Sequence, residues 1–103
     1  MMSVADRLST FLNRRPSIKS SVFIASNATV LGDVRIGAHS SIWYQAVVRG
    51  DINHIQIGEG TNLQDGVICH LSDDYPLIVG NYVTVGHGAI LHACTIDDEC
   101  LIG

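Results

Sequence analysis

The chain has 103 residues, enough for one small domain. It is 47% hydrophobic and only 16% charged, with a formal net charge of −4, which argues against nucleic acid or an acidic membrane surface as a partner. No apolar run approaches the ~20 residues of a membrane span. Its three cysteines, Cys69, Cys94 and Cys100, are odd in number and form no CxxC pair. They read as small buried hydrophobes in a reducing compartment, so the expected location is cytoplasmic.

Residues 1–21 form an N-terminal arm. Val4, Leu8, Phe11 and Leu12 have helical spacing behind a candidate cap at Ser3, and Pro16 follows Arg14 and Arg15. A short amphipathic helix, or an arm packing on a neighbour, is expected there. Asp6 and the lack of an apolar core argue against a targeting peptide.

Residues 22–103 carry a six-residue hydrophobic ladder. Its leads are Ile24, Val30, Ile36, Ile42, Val48, Ile57, Leu63, Cys69, Val79, Val85, Leu91, Ile96 and Ile102. Four positions after a lead stands a small or β-branched residue, as at Ala28, Val34, Ser40, Ala46, Thr61, Val67, Val83, Ala89 and Thr95. Glycine often follows the lead directly, at Gly37, Gly58, Gly80 and Gly86. Such a hexapeptide repeat predicts an all-β fold, a parallel β-helix of the left-handed type with about four coils of ~18 residues. The ladder slips three times. Three residues are inserted around Asn53 and His54, four within Leu71–Leu77, and one is missing between Leu91 and Ile96. The Asp-Asp-Tyr-Pro run at 73–76 reads as an exposed loop. Gly103 falls in mid-repeat, so the expectation is a fragment lacking further coils and a cap.

Corrected for the insertions, the ladder places His70 and His92 one coil apart on the same face, in one column with Arg49. Asp65 stacks beneath His87 in a second column on the preceding face. Two imidazoles at strand separation, ~4.8 Å, can chelate one cation. His87 is badly placed to join them from the same chain, but a neighbouring copy could supply it, and three-fold symmetry closes that head-to-tail contact. Three histidines and one open position are the arrangement of catalytic zinc. His39 and His54 read as structural or solvated.

The segments Asn27–Val34, Ser41-Ile42-Trp43, Val48-Arg49-Gly50-Asp51, Thr61–Gly66 and Val85–Ala89 together resemble the γ-class carbonic anhydrases, over about Val22 to Gly103. The resemblance implies a homotrimer with a metal shared between subunits, Zn2+ or else Fe2+ or Co2+. His70 and His92 match the ligands from one subunit, and His87 the ligand from its neighbour. Arg49 and Asp51 match a pair that bridges the interface. Gln64 matches the residue that orients a metal-bound hydroxide, and Asp65 a structural position. The implied reaction is reversible hydration of CO2 to bicarbonate. Ile52 departs from the family prototype, which has a catalytic glutamate after the aspartate. Asp73 matches the proton-shuttling carboxylate in a shortened loop. A weakened shuttle lowers turnover more than metal affinity. Two other functions fit the ladder: an acyl-CoA-dependent acyltransferase, and a non-catalytic trimer stapled by metal.

Overall fold

The computed structural model describes residues 2–103. One helix, α1 (Val4–Phe11), precedes twelve short strands. These are β1 (Ser17–Ile18), β2 (Phe23–Ile24), β3 (Thr29–Ile36), β4 (Ser41–Ile42), β5 (Val47–Ile57) and β6 (Asn62–Leu63). They continue as β7 (Ile68–His70), β8 (Leu77–Val79), β9 (Thr84–Val85), β10 (Ile90–His92), β11 (Thr95–Ile96) and β12 (Leu101–Ile102).

All strand pairs are parallel and link successive coils, so the chain winds as a solenoid with three faces. The first face stacks the start of β3, the start of β5, then β7 and β10. The second stacks β1, the ends of β3 and β5, then β8 and β11. The third stacks β2, β4, β6, β9 and β12. β1 lies within the N-terminal arm, so the first rung begins before the hydrophobic ladder does.

The ladder leads point inward. Ile36, Ile42, Val48, Ile57, Leu63, Cys69, Val79, Val85 and Leu91 are buried, and Ile24, Val30, Ile96 and Ile102 close the two ends of the same core. Each fully buried Leu, Ile or Val stabilises the coil by about 1.5–3 kcal/mol. Between the faces the chain turns through left-handed conformations at the third position after the lead. His39, Tyr82 and Glu99 line one corner with Gly60, and Gln45 lines another with Gly66 and Gly88. Gly58 has a different reason: a Cβ there would lie 2.4 Å from the Gly80 carbonyl of the next rung.

The registers locate the slips. Gly32 pairs with Gly50 but Val34 with Ile55, so the first insertion falls between Gly50 and Ile55. Ile57 pairs with Val79 and Val79 with Ile96, which places the four-residue insertion and the one-residue deletion where the ladder breaks. One ladder assignment changes. Thr95 is exposed and pairs with Ile78, while Cys94 takes the inner position against the core. The five-residue step leaves no room for both a full corner and an inward Thr95.

The helix forms as its sequence signals indicate. Ser3 Oγ accepts from the Asp6 amide and Asp6 Oδ2 from the Ser3 amide, a reciprocal capping box. Beyond the helix, Arg14 meets the buried carboxylate of Asp33 at 2.6 Å, which ties the arm to the solenoid.

Candidate metal centre

The parallel register of β7 and β10 sets His70 directly opposite His92. Their side chains leave the same face one rung apart, with ring centroids 5.6 Å apart and planes inclined at 45°. Behind them, the insertion after Gly50 brings Asp51 against the His70 ring. Its Oδ1 lies 2.8 Å from His70 Nε2, and its Oδ2 accepts from Arg49 Nη1 at 2.6 Å. Burial pushes the Asp51 carboxyl up, but the hydrogen bond with His70 and the Arg49 charge outweigh it and hold the group below the usual carboxylate range. Arg49, in line with the histidines one residue past the last β5–β7 pair, keeps its side chain 47% exposed. The resemblance implies that Arg49 and Asp51 bridge two subunits. Within this one chain they bond to each other, and the aspartate is buried rather than solvated.

His87 sits at the corner after β9, between Gly86 and Gly88, where Gly88 takes φ +71°. Its Nδ1 is 3.3 Å from Asp65 Oδ1, one rung below, and both side chains are open to solvent. Gln64 stands next to Asp65 on the same corner. Gln64, Asp65 and His87 line an open cavity of about 410 Å³ with Ser41, Trp43 and Asn62. Asp73 belongs to neither group; it lies exposed on the loop between β7 and β8.

The candidate residues thus fall into two sets on different parts of the coil. Among the described residues, no three His, Cys, Asp or Glu side chains gather closely enough to hold a metal ion. The donor chemistry of the first set fits a divalent cation. Two imidazoles face each other across adjoining rungs, and a carboxylate fixes one ring through its second nitrogen. His87 is not among the side chains that gather there. Beside the histidines, Val47, Ile68 and Ile90 form an outward aliphatic stripe, with Ile68 42% and Ile90 69% exposed.

The link from Asp51 to His70 was not legible in the ladder; the only signal was the insertion that immediately follows Arg49-Gly50. His39 and His54 play backbone roles: His39 occupies a left-handed corner and its amide donates to Ser21 Oγ, and the His54 amide donates to Asn53 Oδ1.

The solenoid and its period define a hexapeptide-repeat β-helix, and the comparisons agree. Residues 15–50 match the family described as bacterial transferase hexapeptide (six repeats). A probable carbonic anhydrase from Methanocaldococcus jannaschii is 50% identical over 86 residues, covering 84% of this chain and 54% of that protein. Gamma carbonic anhydrase 2, mitochondrial, from Arabidopsis thaliana is 42% identical over 102 residues, covering 93% of this chain and 37% of that protein. A hexapeptide transferase family protein from Anaplasma phagocytophilum superposes with a TM-score of 0.74 at 51% identity, covering 78% of this chain and 46% of that one. Over the residues it contains, the chain belongs to the hexapeptide-repeat family of γ-class carbonic anhydrases. It spans about half, or less, of the length of the curated relatives it matches. No described helix is long and apolar enough to cross a membrane.

Proposed function

We propose that the chain serves reversible hydration of CO2 to bicarbonate, in a homotrimer that holds a divalent cation between neighbouring copies. The observation that carries this reading is the His70–His92 pair, two imidazoles 5.6 Å apart with His87 out of their reach. In this reading His70 and His92 hold the cation from one copy and His87 from the next. Zinc suits three imidazoles, and ferrous iron or cobalt would also fit. When bound, the cation supplies a Lewis acid that brings the pKa of water near neutrality.

The chain's own residues do the rest. Asp51 orients the His70 ring. Gln64, beside His87 in the same cavity, has a free amide to align the attacking water. Asp65 fixes the His87 ring through Nδ1 and leaves Nε2 for ligation. Asp73, exposed on its loop, passes the proton to buffer. The stripe of Val47, Ile68 and Ile90 supports burial against another copy, because exposed aliphatic rows mark contact surfaces. A reducing, cytoplasmic setting belongs to the same reading, given three free cysteines.

Stopped-flow CO2 hydration by the metal-loaded chain tests the proposal. Hydration that falls at least about a hundredfold in His92→Ala is expected, because a lost ligand removes the cation's chemistry. Bound metal with no hydration would favour the structural staple instead. A second reading, acyl transfer, draws on the name of the matching repeat family and of the Anaplasma relative. Titration with acetyl-CoA separates the two; the hydratase reading expects no binding.

A further inference from the structure

The two insertions that interrupt the ladder meet outside the coil, and α1 lies across their junction. Arg7 Nη1, on α1, donates to the carbonyl of Ile52 at 3.2 Å and to the carbonyl of Asp73 at 3.0 Å. Asn53 Nδ2, from the first insertion, donates to the carbonyls of Ser72 at 3.3 Å and Asp73 at 3.1 Å. Two side chains from distant segments therefore converge on one backbone oxygen, that of Asp73. The loop's feet are fixed too, since Leu71 and Leu77 are buried in the core. Its span is closed by the Ser72 amide on the Tyr75 carbonyl and the Tyr75 amide on Ser72 Oγ.

The charged head of an arginine on a surface helix ordinarily stays in water. This one is inserted: Arg7 Nε is sealed from solvent, and Nη1 is spent on two carbonyls. Charge-assisted bonds to carbonyls are among the stronger hydrogen bonds available to such a loop. Among the described residues, no other hydrogen bond of α1 reaches the loop.

We infer that Arg7 is a positioning residue, which clasps the Asp73 loop to α1 and to the segment inserted after Gly50. Its consequence for catalysis rests on the hydratase reading, in which Asp73 carries the proton away. The Asp73 carboxylate makes no bond of its own in the clasp and so stays free, while its backbone is held at the carbonyl.

The test uses the full chain with Arg7→Met, which keeps length and helix propensity but removes every donor, and Arg7→Lys, which restores one donor. Hydrogen exchange at the Ser72 and Tyr75 amides is expected to quicken about tenfold in Arg7→Met, with partial recovery in Arg7→Lys. The Val47 and Ile68 amides, which donate to the next rung, should keep their wild-type rates. Unchanged loop exchange in Arg7→Met overturns the clasp, as does equal loosening of loop and rungs, which would signify general destabilisation. In the metal-loaded protein, Arg7→Met should lower kcat severalfold in dilute buffer, spare kcat/KM, and recover with added imidazole buffer. A wild type without hydration would sink the functional reading and leave the exchange rates to judge the clasp. A loosened loop in an active enzyme with unaltered kcat would overturn the positioning role.

Discussion

Asp51 Oδ1 stands 2.8 Å from His70 Nε2, while the same carboxylate takes Arg49 on its other oxygen. One buried carboxylate therefore orients a candidate ligand and anchors the Arg49 guanidinium beside it. Asp51→Asn keeps the shape but removes the charge that favours the bound ring. A carboxylate behind a metal-bound histidine is typically worth 10–100-fold in affinity. Chelator competition should therefore show metal affinity falling about 10–100-fold in Asp51→Asn, with secondary structure retained. Affinity equal to wild type would remove Asp51 from the centre.

Gly32 and Gly88 separate two reasons for glycine. Both have positive φ, +83° and +71°. At Gly32 a Cβ would meet the Gly50 carbonyl oxygen at 2.1 Å, whereas at Gly88 nothing lies within 4 Å. Gly88→Ala should cost about 1–2 kcal/mol, the left-handed penalty alone. Gly32→Ala adds a backbone clash and should cost about 3 kcal/mol or more. Urea unfolding of the two variants checks the difference, and equal losses would refute the close approach of the rungs.

Cys69 occupies an inward lead with no exposure. Burial, with a smaller contribution from nearby Cys94, pushes its thiol from 9.0 up to about 12. Between those values the unfolded chain has lost the proton and the folded chain keeps it. Stability should therefore be intact below about pH 9 and fall as pH rises toward 12, by at most about 1.4 kcal/mol per unit from this group. Cys69→Val should show a shallower alkaline decline in thermal melts. Native alkylation at neutral pH should spare Cys69, and its ready labelling would contradict the buried placement.

The solenoid was legible because burial repeats every six residues. Lead positions from Ile36 to Leu91 could be placed inward from spacing alone, and loop correction put His70 opposite His92. Thr95 misled because a shortened corner cannot be seen in a residue count, and Cys94 took its inner position. The corner conformations at His39, Gln45, Tyr82 and Glu99 were hidden because these non-glycine types do not announce positive φ. The Asp51–His70 and Arg7–Asp73 contacts join residues 19 and 66 apart through insertions. Their geometry follows from how two loops pack, which no periodic pattern encodes.

In the proposed trimer, one copy supplies His70 and His92 while its neighbour supplies His87. Metal content after mixing His87→Ala with His92→Ala tests it most directly. Each variant alone should bind almost none. After unfolding and refolding together in equal amounts, a site is whole only where a His87→Ala copy meets a His92→Ala neighbour on the correct side. Random assembly of a closed trimer then restores about a quarter of wild-type metal. Recovery near that level is expected. No recovery above the separate variants would contradict a shared centre.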